Sequence, residues 1–366
     1  MHLHIFFFKY LINYYIIKPG DTMRKAITIK EIAESLNLSR NTVAKALNGK
    51  YVPNKTRELV LNKAKELNYK SMSNQSTYLN AKKRYRILLL SGKPLSNINF
   101  FFPIIKGIEN YCYDNDFELF QYTFNNEIST YENLRQNIET YKVDGIISIE
   151  TFEKETISSL LHLKKPICFI DFAVGRIQKE YSFDIIQTNN REPFYYIVKD
   201  LIKKKKLTKF TYIGDPEHCL SFQERYLGMI DALHLAGIDH NIDEDILKNG
   251  NFDITNIDNF KTEFFKLRKR PQCILCCNDF VARAICKGLK SLNIKVPEDI
   301  MVVGYDNSQE SVADYPKITT VTMNKEYLGI EAVKTLIERI EKPNIPTKKI
   351  IIDSTIVYRD STLLNN

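Results

Sequence analysis

Residues 28–69, TIKEIAESLNLSRNTVAKALNGKYVPNKTRELVLNKAKELNY, decide the fold at the N-terminal end of this 366-residue chain. Thr28 and Glu31 have the spacing of a capping box, in which a hydroxyl and a carboxylate satisfy the free backbone N–H groups at a helix start. Apolar residues then recur at three- and four-residue spacing, which predicts one buried helix face: Ile29, Ile32, Ala33 and Leu36.

Two further helices are predicted in the same stretch. Asn37 tolerates the left-handed conformation of a tight turn, and Ser39 can cap a second helix. That helix is expected to bury Val43, Ala46 and Leu47 and to expose Arg40, Asn41, Ala44 and Lys45. A third helix is predicted at about residues 54–68, with an inward face of Leu59, Val60, Ala64 and Leu67. Two short helices joined by such a turn indicate a helix-turn-helix.

The exposed side chains of the second helix suit a DNA major groove. Arg and Lys donate to guanine, Asn pairs with adenine, and an Ala methyl contacts thymine. The alternative is a small helical bundle with an ordinary solvated face. The distribution of charge distinguishes these two interpretations. Residues 24–84 contain 14 Lys and Arg against four Asp and Glu, whereas the whole chain has a net charge of only +8. A basic charge confined to one segment favours nucleic-acid binding.

These residues resemble the DNA-binding domain of the lactose-repressor/galactose-repressor family of bacterial transcription regulators. The segments T-I-K-E-I-A, L-S-R-N-T-V-A-K-A-L-N and V-P-N-K-T-R-E-L-V carry the resemblance. It departs at Leu36-Asn37, where the family has Ala-Gly, and at Ala44-Lys45, where it has Ser-Arg. The resemblance implies that Arg40, Asn41 and Lys45 contact bases. The DNA-binding set is predicted to be Thr28, Ser39, Arg40, Asn41, Thr42, Ala44, Lys45, Asn48, Tyr78 and Leu79.

The segment 71–84 links this head, residues 23–70, to the rest of the chain. Its polar composition is typical of a flexible, solvated linker. The resemblance implies instead a hinge helix that orders on DNA and inserts a side chain into the minor groove. Tyr78 stands where the family has its wedging Leu, and Leu79 is beside it.

From Arg86 onward, short apolar runs alternate with helical stretches, which predicts parallel sheets with right-handed crossovers. Residues 85–366 exceed what one such sheet needs, so two α/β lobes are expected, with crossovers near 188, 322 and 352. Ligands in such folds bind beyond the carboxyl ends of the strands. A cleft between the lobes is therefore the expected binding site.

The family resemblance continues through this region. D-G-I-I at 144–147, C-N-D-F-V-A at 277–282 and V-P-E-D-I at 296–300 followed by V-G-Y-D-N at 303–307 carry it. It implies a periplasmic-binding-protein-like (type I) sensor domain. The effector-binding set carried over is Phe100, Phe101, Ser221, Arg225, Phe252, Asn278 and Asp306.

The chemistry of this set suits a sugar. Arg225 and Asp306 offer charge-assisted hydrogen bonds to neighbouring hydroxyls, Asn278 offers a donor and an acceptor, and Phe252 could stack on a pyranose face.

Three structural alternatives to these roles stay open: Asp306 pins a loop, Arg225 pairs with Glu224 or Asp215, and the phenylalanines at 100–102 belong to the core of a lobe. Cys219 stands where a purine-sensing relative has Arg, which disfavours a purine.

The seven cysteines are scattered. Cys273 and Cys276-Cys277 have a metal-like spacing, but the run CILCC is predicted to be a buried strand, so no metal site is expected. Free thiols fit a reducing cytoplasm.

The apolar run within residues 1–22 is too short to span a membrane, and the segment lacks the marks of a signal peptide. We expect translation to start at Met23, with an interfacial anchor as the alternative.

The predicted protein is a cytoplasmic, nucleoid-associated homodimer that binds double-stranded operator DNA and a small-molecule effector, with no cofactor and no membrane partner. We expect a repressor, because effector binding between two lobes can change the spacing of paired DNA-binding heads. A solute-binding protein for transport is the main alternative, and the head counts against it. A regulator that senses a nucleoside is another. An enzyme is not expected, since neither a Gly-rich phosphate loop nor G-x-S-x-G is present.

Overall fold

The computed structural model describes residues 27–47, 52–67, 69, 84–92, 98–124, 131–175, 182–241, 245–246, 253 and 256–362. The chain divides into two compact units, Met1–Lys83 and Arg84–Asn366. The predictions for residues 1–22, for Asn48, for the linker up to Lys83 and for Phe252 lie outside the described residues. No helix in the described ranges is long and apolar enough to cross a membrane.

The described residues of the first unit form three helices, α1 (Ile29–Ser35), α2 (Arg40–Leu47) and α3 (Asn54–Glu66). The capping box is confirmed, since the Thr28 amide donates to Glu31 Oε2 at 2.6 Å and the Glu31 amide donates to Thr28 Oγ1 at 3.4 Å. Asn37 is left-handed, with φ of +51°. Ser39 Oγ accepts from the Thr42 amide at 3.0 Å, so it caps α2 as predicted.

The core of this unit is formed by side chains from all three helices and by Val52, which precedes α3: Ile32, Ala33, Val43, Ala46, Leu47, Val52, Val60 and Ala64. The prediction for Leu59 is wrong, because its side chain is 58% exposed. Successive residues are about 100° apart around a helix. The helix face that buries Val60 and Ala64 therefore turns Leu59 toward solvent.

The second unit begins with a lobe built on parallel strands, whose near-continuous burial is typical of a sheet covered on both faces. The strands are β1 (Arg86–Ser91), β2 (Glu118–Thr123), β3 (Gly145–Ile149), β4 (Ile167–Ile170), β5 (Asp184–Thr188) and β10 (Lys349–Ile352). Their spatial order is β10-β5-β4-β3-β1-β2. The helices of this lobe are α4 (Ile98–Asp114), α5 (Tyr131–Thr140), α6 (Lys154–His162) and α12 (Lys325–Glu341).

Helix α4 begins at Ile98, five residues before Pro103, which lies inside the helix. Proline is common in a first helical turn, but here the apolar residues before it continue the helix, and Phe101 is buried. Phe100 and Phe101 consequently lie in the first turn of α4, directly after β1 in the fold.

The second lobe has a parallel sheet in the order β6-β7-β8 and an antiparallel pair, β9 with β11. Its strands are β6 (Phe210–Ile213), β7 (Cys273–Cys276), β8 (Met301–Val303), β9 (Thr320–Met323) and β11 (Ser354–Val357). Its helices are α7 (Arg191–Lys205), α8 (Leu220–Leu235), α9 (Ile257–Lys266), α10 (Asp279–Ser291) and α11 (Glu310–Ala313). A short 3-10 helix, Asp360–Thr362, follows β11.

The chain passes between the two lobes three times. It crosses from β5 to α7, returns from β9 to α12 and crosses again from β10 to β11. Each connection is only one or two residues long, so the carboxyl ends of β5 and β9 lie beside the gap between the lobes. The first four residues of the run CILCC form the buried strand β7, Cys277 follows it, and all seven cysteines are free thiols.

Candidate functional site

A cavity of about 280 Å³ lies between the two lobes of the second unit, at the carboxyl ends of their strands. This is where open α/β folds bind ligands. Aromatic side chains and polar groups share the lining: Phe100, Phe101, Glu150, Phe152, Ile170, Asp171, Ile186, Gln187, Thr188, His218, Cys219, Ser221, Phe222, Arg225, Asn278, Asp306, Met323 and Leu328.

Six of the seven residues in the sequence-predicted effector set line this cavity. They come from four separate places in the fold: α4 supplies the two phenylalanines, α8 supplies Ser221 and Arg225, and the loops after β7 and β8 supply Asn278 and Asp306. The seventh, Phe252, lies outside the described residues. The role of the set in binding stays a prediction.

Arg225 is buried and held from several sides. Its Nε donates to Asn190 Oδ1 at 2.9 Å, its Nη1 donates to the Cys277 carbonyl, and its guanidinium lies 3.6 Å from the centre of the Tyr305 ring. Its Nη2 is 3.7 Å from Asp306 Oδ1. The guanidinium is thus fixed in a single orientation at the cavity wall.

Neither acid offered by the sequence as a structural partner of Arg225 fills that role. Glu224 accepts instead from Lys349 Nζ at 2.8 Å, and Asp215 accepts from the Glu217 amide at 2.9 Å. The acid beside Arg225 is Asp306, which is distant in sequence and also faces the cavity.

Asp306 is a buried carboxylate in a strained turn. Its φ is +103°, a conformation that costs a non-glycine residue about 1–3 kcal/mol. Burial raises its pKa to about 6, against the opposing attraction of Arg225 and Lys325. The Lys325 Nζ donates to the Asp306 backbone carbonyl at 2.8 Å, and not to the Asp306 carboxylate.

The first lobe contributes polar residues that sequence reasoning missed. Asp171 Oδ1 accepts from Gln187 Nε2 at 2.9 Å and from the Ser221 amide of the second lobe at 3.2 Å. Thr188 ends β5 beside them. The only feature in the sequence that could have indicated these residues is their position, since each stands at or near the carboxyl end of an apolar run.

Two buried oxygen atoms at the cavity have no hydrogen-bond partner among the described residues: Gln187 Oε1 and Asp306 Oδ1. Buried acceptors in folded proteins are almost always paired. Asn278 adds a hydrogen-bond donor to these acceptors. Its side-chain oxygen already caps α10 by accepting from the Val281 amide at 2.9 Å. Its amide group is the half left to donate. The cavity therefore suits a ligand with several hydroxyl groups.

The other predicted surface is on the first unit. Arg40, Asn41 and Lys45 are exposed on α2, opposite its buried face, and Ala44 is partly exposed. Asn41 and Lys45 are four residues apart and so lie on the same side of the helix. Thr28 and Ser39 cap α1 and α2, and Thr42 bonds to Ser39 through its backbone amide. Asn48, Tyr78 and Leu79 lie outside the described residues.

Comparison with known proteins gives the same architecture. Residues 199–362 match the periplasmic binding protein-like domain family. Over 338 residues the chain is 28% identical to the HTH-type transcriptional repressor PurR of Mannheimia succiniciproducens, a match that covers 91% of this chain and 98% of the relative.

Two solved structures share the fold over most of the chain. The transcriptional regulator CelR–cellobiose complex matches 92% of this chain and 99% of its own, at 20% identity and a TM-score of 0.67. The lac repressor dimer bound to operator and the anti-inducer ONPF matches 93% of this chain and 100% of its own, at 20% identity and a TM-score of 0.63. With a helix-turn-helix head followed by a two-lobed periplasmic-binding-protein-like sensor domain, the chain resembles the lactose-repressor/galactose-repressor (LacI/GalR) family of bacterial transcriptional regulators.

Proposed function

We propose that this protein is a cytoplasmic transcriptional repressor whose affinity for operator DNA is controlled by a sugar bound between its two lobes. The observation that carries the proposal is a pair of buried acceptors, Gln187 Oε1 and Asp306 Oδ1, which have no hydrogen-bond partner among the described residues. Both belong to side chains that line the cavity together with Arg225. The full-length likeness to a transcriptional repressor supports the DNA-binding half of the proposal.

A sugar satisfies this cavity because each hydroxyl group both donates and accepts. Neighbouring hydroxyls can donate to Asp306 and accept from Arg225, whose charges make such bonds stronger than neutral ones. Phe100, Phe152 and Phe222 offer apolar surface for the C–H face of a ring. The volume of about 280 Å³ is at the lower end of small-molecule sites, which favours a ligand of about monosaccharide size.

A thermal-shift screen tests the class of effector directly. The probes are D-glucose, D-galactose, D-ribose and D-fructose, with adenosine and guanosine as the competing class, because aromatic walls can also stack on a base. A ligand that binds only the folded state raises the midpoint of unfolding with concentration. Stabilisation by a nucleoside and by none of the sugars would contradict the sugar proposal while leaving the cavity as the binding site.

Binding to operator DNA is expected to weaken steeply with salt. The basic head neutralises phosphates and releases counterions, so the logarithm of affinity should fall with the logarithm of salt concentration, with a slope of about −0.9 for each phosphate contact. Fluorescence anisotropy with an operator selected from a random duplex library measures the slope. An affinity that does not change with salt would exclude DNA as the partner.

We also propose that the protein acts as a homodimer on a two-fold symmetric operator. One head offers only a few base contacts, and two-fold DNA sites match two-fold proteins. Exposed apolar side chains on and beside α10 and α11 support a subunit contact on the second lobe: Phe280, Val312 and Tyr315, which are 52%, 47% and 79% exposed. Dimerisation then brings two heads to one operator.

Sugar affinity is expected to fall as the pH drops through about 6. Burial raises the pKa of Asp306 to about 6 in the sugar-free protein, with Arg225 and Lys325 opposing the rise. A hydroxyl donor binds the ionised carboxylate more strongly than the neutral acid, so binding lowers this pKa. By linkage, affinity is complete above the pKa of the free protein and is lost below it.

Isothermal titration between about pH 5 and pH 8 measures this dependence for the sugar found in the screen. Asp306→Asn is the control, because an amide does not titrate in this range. Its profile should lose the fall centred near pH 6 and keep only the dependence that comes from neighbouring groups such as Asp279, whose pKa is raised by burial and by Asp306 to about 7. A wild-type affinity that is constant over the range, or that rises toward pH 5, would contradict the assignment of Asp306.

A further inference from the structure

We propose that Asp279, together with Thr320, is a positioning residue that holds the turn at Asp306 and thereby sets how tightly the effector binds. Neither residue lines the cavity, so both act through Asp306. The inference rests on the proposed function, since it assumes that Asp306 contacts the sugar.

The turn needs outside support because two successive non-glycine residues have positive φ, and Asp306 lies beyond the left-handed region that Asp and Asn tolerate. Asp306 has a φ of +103° and Asn307 a φ of +45°, and neither is glycine. Such residues persist only where the surrounding structure determines them. If the turn relaxed, the Asp306 carboxylate would leave its place 3.7 Å from Arg225 Nη2.

One carboxylate anchors the two amides that follow Asp306. Asp279 Oδ2 accepts from the Ser308 amide at 2.8 Å, and Asp279 Oδ1 accepts from the Thr320 hydroxyl at 2.7 Å. The oxygen of that hydroxyl in turn accepts from the Asn307 amide at 3.2 Å. The Ser308 amide is therefore held directly by Asp279, and the Asn307 amide is held through Thr320.

Asp279 is itself fixed in place. It is fully buried at the start of α10, where the helix dipole favours a negative charge. Its backbone amide donates to the Tyr305 carbonyl at 2.8 Å, one residue before the turn. Gly304 approaches so closely that an added Cβ would lie 2.1 Å from Asp279 Oδ1.

A second, independent contact supports the same turn from the C-terminal segment. Arg359 Nη2 donates to Asn307 Oδ1 at 2.6 Å, and its Nη1 donates to Ser311 Oγ and to the Ile318 carbonyl. This contact holds the side chain of Asn307. The amides of Asn307 and Ser308 depend on Thr320 and Asp279.

Thr320→Val and Thr320→Ser form a matched pair that separates the effect of losing the hydroxyl group from the effect of changing the side-chain volume. Valine keeps the shape and removes the hydroxyl, whereas serine keeps the hydroxyl. Sugar affinity is measured by titration at about pH 8, where Asp279, with a pKa raised by burial and by Asp306 to about 7, is ionised. The probe is whichever of D-glucose, D-galactose, D-ribose or D-fructose stabilises the wild-type protein.

Thr320→Val should raise the dissociation constant about tenfold, the effect of losing one well-placed hydrogen bond, and Thr320→Ser should stay within about twofold. Operator affinity without sugar should be unchanged in both variants. Amide hydrogen exchange of the peptide covering residues 304–312 gives a readout that needs no ligand. It should be faster in Thr320→Val than in Thr320→Ser.

The inference is overturned if the valine and serine variants exchange alike across residues 304–312, or bind the sugar alike. Asp306→Asn, measured in parallel, separates this failure from failure of the proposed function. If Asp306→Asn weakens sugar binding while Thr320→Val does not, the positioning role is wrong and the site stands. If Asp306→Asn binds the sugar as the wild-type protein does, the site itself is wrong.

Discussion

Arg40→Ala is expected to weaken operator binding by about 2–6 kcal/mol, the largest effect expected of any single substitution in this protein. One base-contacting arginine contributes about 1–3 kcal/mol, and a dimer loses two of them. Arg40 is the first residue of α2 and is exposed, while Val43, Ala46 and Leu47 bury the opposite face. The substitution should therefore leave the fold of the head intact.

Anisotropy titrations on the selected operator, and on operators with single base-pair changes, measure both the affinity and the preference at each position. Lys30→Ala is the matched control, because Lys30 is an exposed cation on α1 and its removal deletes the same charge. Its loss should lower affinity slightly and equally for all sequences. If both variants behave alike, or if Arg40→Ala keeps the full base preference at every position, α2 is not the recognition helix.

The head could be predicted closely from sequence because its signals are local. The capping box of Thr28 and Glu31, the left-handed Asn37 and the Ser39 cap each involve residues within three or four positions of one another. The error at Leu59 has a local cause too, since apolar spacing alone does not decide which of two adjacent residues faces the core. Packing against α1 and α2 decides it.

The cavity could be predicted only in part, and mostly from its second-lobe side. The family resemblance pointed to Arg225, Asn278 and Asp306, but no motif marks the first-lobe residues Asp171 and Gln187. Their significance comes from contacts made in the folded chain, such as that of Asp171 with the Ser221 amide, 50 positions away.

The partners of Arg225 show the same limit. The acids nearest to Arg225 along the chain, Glu224 and Asp215, are the partners that the sequence predicts. The structure brings together Asn190, the Cys277 carbonyl and Asp306, which come from three different connections between strands and helices. Parallel sheets bring the carboxyl ends of distant strands to one edge, so these pairings depend on strand order, which local patterns do not contain.

Asp306→Asn is expected to raise the dissociation constant for the sugar by about 10- to 150-fold, which corresponds to about 1.5–3 kcal/mol for a hydrogen bond to a charged group. Release of the operator by that sugar should be lost at concentrations that saturate the wild-type protein. Operator affinity without sugar should be unchanged, because the substitution lies in the second unit and the predicted base-contacting residues of α2 lie in the first.

The isosteric change should leave the site folded. Burial already disfavours the charged form of Asp306, as its raised pKa of about 6 shows, so a neutral amide relieves a desolvation cost. Arg225 keeps its contacts with Asn190, the Cys277 carbonyl and the Tyr305 ring. Any loss of sugar binding then reflects the missing charge-assisted acceptor and not a collapsed cavity.

Asp231→Asn provides the control for this experiment. Asp231 is an acid of the same lobe that pairs with Arg191 at the surface and does not line the cavity. Its variant should bind the sugar and release the operator as the wild-type protein does. Release by Asp306→Asn at the same sugar concentration as wild type would show that the carboxylate serves only to brace its turn. The strained φ of Asp306 would then be explained by loop geometry, and the effector would have to depend on other groups in the cavity.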